Sequence, residues 1–232
     1  MGARLIVVAL TALCLSVQAA PIPKRAEQYI QQLVDAQKLL WPNAPSAHFI
    51  AGQIEQESCI TLTHTYCWNP NAKLQTSREH GVGLGQFTRA YNKDGSIRFD
   101  VIDDLSKRHP ELDGWNWDTR HEAEYQLKAI ILMDKGIYDR VKGAASVTDR
   151  LAFTLSAYNG GEGGLRVDRR LCSNTPGCDP AKWKGNVEKT STKSKVPHPQ
   201  YKKSFFEINR EYVTNVLDKR GPKYAPYFKD PQ

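Results

Sequence analysis

Glu57 is the residue whose setting most suits proton transfer. It lies in Ser46-Ala-His-Phe-Ile-Ala-Gly-Gln-Ile-Glu-Gln-Glu57-Ser58, which reads as a helix with Ser46 as its N-cap. At about 100° per residue, Ile50, Ile54 and Glu57 fall within roughly 60° of one another, and Glu55 points well away. Glu57 is therefore expected on the buried stripe and Glu55 on the solvated one. A carboxyl held against apolar surface has its charged form disfavoured and its pKa raised. Such a group can carry a proton near neutral pH and give it to a leaving group. Two later segments could work with it: Gly81-Val-Gly-Leu-Gly-Gln86-Phe87 and Ser156-Ala-Tyr158-Asn159-Gly-Gly161.

The elements that must position these groups are mostly helical. Residues 25–41 form an amphipathic pattern, with Ile30, Leu33, Val34 and Leu40 on one side and Pro42 as the stop. The Glu57 helix follows. Residues 59–80 read as polar and irregular, Asp94-Gly95 as a turn, and Val101 to Lys107 as a short helix. Asp118 is expected to cap a helix running to about Val141, with Ala123, Leu127, Ile130, Ile131 and Ile137 at helical spacing. Thr148 is expected to cap the next, which carries Leu151, Leu155 and Tyr158 and ends at Gly160-Gly161. Residues 184–200 lack periodicity and read as a loop, and residues 204–217 as a final helix. There is no internal repeat. The expectation is one mainly α domain, with at most a minor β-hairpin near residues 59–100.

The N-terminus reads as an export signal. Arg4 is followed by an apolar run from Leu5 to Leu15 and a small-x-small site ahead of Ala20. Cleavage there leaves residues 21–232, and retention as an anchor is the alternative. The formal charge of +7 falls by one with Arg4. A basic surface suits an acidic partner. For an exported chain, cell wall with its peptide carboxylates fits better than nucleic acid. Without Cys14 four cysteines remain: Cys59, Cys67, Cys172 and Cys178. An even set in an exported chain reads as two disulfides. Three connectivities are open, and short closure favours Cys59–Cys67 and Cys172–Cys178. The spacings do not suit zinc, and HExxH is absent. Asn92-Lys-Asp94-Gly95 looks like the middle of a calcium loop, but Ala90 and Val101 occupy its end-ligand positions. No metal or cofactor is expected.

Four pieces, in order across roughly residues 46–217, resemble the soluble lytic transglycosylases and goose-type lysozymes of the lysozyme-like superfamily. They are Glu57-Ser58, Gly83-Leu84-Gly85-Gln86, Ala157-Tyr158-Asn159-Gly160-Gly161 and Arg210-Glu211-Tyr212-Val213. Gly85 departs from the usual Met, which removes that side chain from any sugar contact. The phrase Gly-Leu-Gly-Gln-Phe-Thr looks like versions in phage lysins. The resemblance implies a helical domain around a saccharide cleft, with peptidoglycan strands as partner. Cleavage of the β-1,4 bond between N-acetylmuramic acid and N-acetylglucosamine would close a 1,6-anhydro ring. From the export signal, the expectation is a periplasmic or secreted protein, a monomer, neither binding nucleic acid nor inserted in a membrane after signal cleavage.

On this reading Glu57 is the catalytic acid and then base, while Ser58, Gly83, Leu84, Gln86, Tyr158, Asn159 and Tyr212 are substrate-site residues. The glycines would let backbone approach a sugar, and Gln86 offers both donors and an acceptor. Tyr158 and Tyr212 would orient Glu57 or stack on a sugar face. Each has a plainer alternative: a tight turn for the glycines, core packing for Tyr158 and Tyr212, and a helix cap for Asn159 or Ser58. Trp68, Trp115, Trp117 and Trp183 are candidate sugar platforms or core anchors. Glu79 is a possible second carboxylate. If it positions a water, the enzyme becomes an inverting hydrolase; if it pairs with Arg78 or another base, the transglycosylase route stands. A non-catalytic wall-binding protein and an exported nucleic-acid binder are the other classes.

Overall fold

The computed structural model describes residues 21–59, 66–199 and 201–229. The export signal, with Cys14, lies outside the described residues.

Apolar spacing builds the first two helices. In α1 (Ala26–Leu40) the stripe Ala26, Ile30, Leu33 and Val34 is buried. α2 (His48–Ser58) is buried at every position from Phe49 to Glu55, as expected of a helix enclosed on all sides. Ser46 does not cap it. Ser46 takes a left-handed conformation (φ 51°), and its carbonyl, not its hydroxyl, accepts from the Phe49 N–H at 2.9 Å. A tight first turn thus replaces the side-chain cap.

A four-stranded antiparallel sheet follows, in the order β1 (Lys73–Gln75), β2 (Glu79–Val82), β3 (Phe87–Tyr91), β4 (Ile97–Asp100). It is larger than the minor hairpin the sequence suggested. Strands of three to five residues are too short for alternation to stand out. The β3–β4 turn is the expected one: Gly95 has φ 84°, and Asp94 accepts from the Ser96 N–H at 2.9 Å.

Asp100 caps α3 (Val101–Arg108) by accepting from the N–H groups of Ile102 and Asp103. α4 spans Ala123–Arg140 with Glu122 at its N-cap position, four residues later than an Asp118 cap would place it. Asp118 instead lies in a turn organised by Asn116, whose Oδ1 accepts from the Asp118 N–H at 2.8 Å. α5 (Val147–Gly160) is capped by Ser146, not Thr148: its hydroxyl accepts from the Asp149 N–H. Gly161 (φ 78°) separates α5 from α6 (Glu162–Ser173).

The segment before the last helix is irregular apart from a 3₁₀ turn at Val187–Lys189. Asp168 on α6, fully buried, anchors it: Ser191 (2.8 Å), Lys193 (3.0 Å) and Arg210 (2.8 Å) all donate to its carboxylate. α7 (Phe205–Thr214) opens on a Ser204–Glu207 capping box. It does not stop near residue 217 but runs on through a π turn, Asn215–Arg220, into α8 (Gly221–Tyr224). α8 meets α2 closely. A Cβ on Gly52 would stand 2.4 Å from the Gly221 nitrogen, so only glycine fits there.

The disulfides are Cys59–Cys67 and Cys172–Cys178, the short-range pairing. Among the described residues no helix is long and apolar enough to cross a membrane. The architecture is mainly helical with one small sheet.

Candidate active site

Glu57 occupies the last turn of α2. It is only part-buried, yet its carboxyl is desolvated enough that burial pushes its pKa up to about 7, against the opposing pull of a hydrogen bond from Tyr212. Tyr212, on α7, donates its hydroxyl to Glu57 Oε1 at 2.5 Å. Tyr158, on α5, stacks on Tyr212 with ring centroids 6.4 Å apart and planes within 12°. The Tyr158 hydroxyl donates to the Gly85 carbonyl at 2.9 Å. Burial, then the Glu57 charge, pushes both phenols well above their usual range, so they remain donors. A chain of contacts therefore joins α2, α7, α5 and the turn after β2.

That turn is shaped for close approach. A Cβ on Gly85 would lie 2.8 Å from each of Ile130 Cγ1, Phe87 Cζ and the Tyr158 hydroxyl. The Tyr158 hydroxyl and its neighbours occupy the space into which a methionine there would start. Gln86 has φ 48°. Its Nε2 donates to the Gly83 carbonyl at 3.0 Å, and among the described residues its buried Oε1 has no hydrogen-bond partner. A half-open groove of about 600 Å³ runs from Gly85, Gln86 and Tyr158 along Phe87, Phe99 and Met133 toward Arg140 and Glu162. Glu57 is not in its wall but is joined to it through Tyr212 and Tyr158.

Several expected substrate contacts are turned inward. Ser58 is buried: its hydroxyl donates to the Ile54 carbonyl (2.6 Å) and accepts from the Trp68 N–H (2.9 Å). It ties the end of α2 to the disulfide loop and does not face a cleft. Leu84 is fully buried, and its N–H donates to Gln126 Oε1 at 2.8 Å. Gly83 (φ 74°) is buried too, and a Cβ there would strike the Gln126 amide at 2.3 Å. Both are buried parts of the turn. Asn159 is exposed at the end of α5, with its Oδ1 accepting from Asn209 at 2.9 Å. Glu79 is exposed and paired with Arg98 at 3.3 Å, not with Arg78. Trp68, Trp115 and Trp183 are core residues, and Arg89 lies over the Trp117 ring at 3.8 Å.

Glu55 is the clearest reversal. It is fully buried, not solvated, and accepts from Arg220 (2.7 Å), Lys223 (2.6 Å) and Tyr224 (2.6 Å). The side of α2 that should face water faces the chain's own C-terminal turns.

Sequence reasoning missed Gln53 and Asp134. Asp134 sits on α4, fully buried, and accepts from Gln53 Nε2 at 3.2 Å. Burial holds its carboxyl well above the usual range, with the Glu57 charge adding to the shift. A signal existed: Asp134 continues the spacing of Leu127, Ile130 and Ile137 on the buried face of α4. Among the described residues no cluster of three or more His, Cys, Asp or Glu could hold a metal ion.

Compared with protein-family models and with curated proteins, the chain matches none.

Proposed function

We propose that this protein is a lytic transglycosylase acting on peptidoglycan, with Glu57 as its single acid and base. The observation that carries the reading is a glutamate raised to about 7 and gripped by one tyrosine. A carboxyl balanced at that value can give a proton and take one back near neutral pH. In the first step Glu57 protonates the glycosidic oxygen as the bond to the muramic acid C1 breaks. In the second, the Glu57 carboxylate takes the proton from the muramic acid 6-hydroxyl as that oxygen closes on C1. The proton lost in the first step is regained in the second, and no water is consumed. Tyr212 supports the anionic form between the steps, because its hydroxyl bonds the carboxylate.

Two further observations favour this route over hydrolysis by a carboxylate pair. Glu79 lines the groove but is engaged with Arg98, and Asp134, which the Glu57 charge reaches, is a buried acid whose carboxyl burial pushes well above the usual range. The groove beside Gln86 and Tyr158 offers room for flanking sugar. Two disulfides fit an oxidising compartment, which we take to be the periplasm or the exterior.

The test is digestion of purified sacculi with mass spectrometry of the released fragments. Anhydro-muramoyl ends, lighter by one water than reducing ends, are expected. Reducing ends would replace this reading with a muramidase on the same fold. Retention on sacculi without any soluble fragment would replace it with a wall-binding protein.

A further inference from the structure

Besides the part-buried Glu57, four acids are buried among the described residues, and one of them is unlike the others; Asp100 receives Arg89. Glu55 receives Arg220 and Lys223, and Asp168 receives Arg210 and Lys193. Asp134 is equally buried, but among the described residues no lysine, arginine or histidine pairs with it. What faces it is Gln53 and Glu57 from α2, Tyr158 from α5 and Tyr212 from α7. An ionised carboxylate in such surroundings has nothing to offset its desolvation.

The hydrogen-bond pattern points the same way. Gln53 Nε2 donates to Asp134 Oδ1. The other oxygen of each group, Gln53 Oε1 and Asp134 Oδ2, is buried with no partner among the described residues. Two acceptors cannot satisfy each other. A proton on Oδ2 would make it a donor, and Gln53 Oε1, the unpaired oxygen of the amide already bonded to Oδ1, could accept it.

We propose that Asp134 is a positioning residue that works as a neutral acid: its Oδ2 carries a proton donated to Gln53 Oε1, and the pair forms the uncharged backing of the Glu57–Tyr212–Tyr158 cluster. Gln53 also neighbours the Tyr158 hydroxyl, whose pKa it pulls down against the larger rise from burial. The pair therefore links α4 through α2 to the tyrosine that holds Gly85 and stacks on Tyr212. The role of the missing charge is specific. Between the two steps proposed above, Glu57 is an anion. A second anion behind it would favour early reprotonation, whereas a neutral Asp134 lets Glu57 alternate between its two forms. The proton on Asp134 is not consumed, and the catalytic part of the inference rests on the reading of Glu57 as the acid.

The experiment has an arm that needs no substrate. In the Glu57→Gln background, infrared difference spectra with and without Asp134→Asn at neutral pH should show the carbonyl band of a protonated carboxylic acid. A carboxylate band in its place overturns the proposal. The second arm measures fragment release from sacculi against pH. Asp134→Leu, which strands the Gln53 amide, should lower kcat by about tenfold or more with KM little changed. Asp134→Asn can still accept from Gln53 Nε2 and donate to Oε1. It should rescue activity to within about threefold of wild type and leave the basic limb of the pH profile in place. A loss beyond about a hundredfold in Asp134→Asn, or a downward move of that limb by about one unit, shows that Asp134 is an ionised partner and overturns the proposal. If Asp134→Leu does not fold, the infrared result and Asp134→Asn decide. If wild type releases nothing from sacculi, the functional reading fails, and the infrared arm still decides whether Asp134 holds a proton.

Discussion

Glu55 and Glu57 stand two residues apart on one helix and have opposite surroundings. Glu55 has two cations and a tyrosine within hydrogen-bond reach and is sealed from solvent. Glu57 has one tyrosine, no cation among the described ion pairs, and part of its surface open. The first is a clasp: it fastens the C-terminal turns to α2, with Tyr224 passing the connection on to Trp68 at 2.9 Å. The second is a raised carboxyl, the property the proposed proton transfer needs, because desolvation without a countercharge is what raises it. Asp168 and Asp134 repeat the contrast on α6 and α4. Where this protein needs adhesion it supplies cations to its buried acids, and around Glu57 it withholds them.

The comparison can be broken most decisively at Glu57 itself. Glu57→Gln should lower glycan cleavage by about 10³-fold, the scale of a lost general acid–base group. The same variant should not be less stable at neutral pH. Glu57 has a folded-state pKa raised above its unfolded one, so the native state binds more protons between them. Its contribution to stability is therefore fully present below about pH 4.5 and lost as pH rises to about 7. At most about 3 kcal/mol is at stake, less in so far as the residue keeps solvent contact. Melting temperatures across that window should fall less steeply for Glu57→Gln than for wild type, with the remaining slope coming from Asp134. An unchanged slope would sink the assignment of a raised carboxyl.

Glu55→Gln is the counterpart and should do the reverse. Removing one member of a buried ion network costs about 3 kcal/mol, measurable as a lower denaturant midpoint. Per folded molecule, the rate of cleavage should stay within about threefold. If activity fell as far as in Glu57→Gln, the two acids would not have separate jobs.

Next in size is Gly85→Ala. Its Cβ would press on Ile130, Phe87 and the Tyr158 hydroxyl, an overpacking worth about 1–3 kcal/mol. Because Tyr158 is one of the atoms displaced, activity should fall along with stability. Tyr212→Phe should act more gently. It keeps the ring stack and removes the hydrogen bond that holds the Glu57 pKa down. The basic limb of the pH profile should therefore move above about 7, with kcat lowered by about tenfold. A downward move would mean that Tyr212 does not stabilise the carboxylate. The smallest effect belongs to Glu79→Gln. An exposed ion pair contributes at most about 1 kcal/mol, and fragment release should change by less than about twofold. A large loss would point to a water-activating second carboxylate.

Much of the scaffold was legible in order along the chain. Helical spacing gave α1, α4 and α5 their buried faces, and short loop closure favoured the disulfide pairs that formed. Boundaries were less legible. Ser146, and not Thr148, caps α5, and Ser46 supplies a carbonyl instead of a hydroxyl, because caps depend on backbone angles that composition does not specify. At the site, the phase of α2 placed Glu57 on an apolar stripe. The same phase argument failed for Glu55, since a helix wheel assumes one wet face and this helix is buried at every position from Phe49 to Glu55. Ser58, Gly83 and Leu84 look like contact residues in a motif, but Ser58 bonds to Ile54 and Trp68, Leu84 to Gln126 and Gly83 to Ala72. Asp134 went unnoticed because an acid in an apolar stripe has no meaning until its partner is known.

What the linear chain determined by itself was periodicity: which residues share a face, where a turn must open, and which cysteines are near enough to join. These follow from backbone geometry over a few residues. Which acids meet cations and which meet only hydroxyls was settled when α2 was enclosed by α4, α7 and α8. A carboxyl's chemistry depends on charges and dielectric within a few ångströms, and for Glu55 and Glu57 those neighbours come from more than a hundred residues away in sequence.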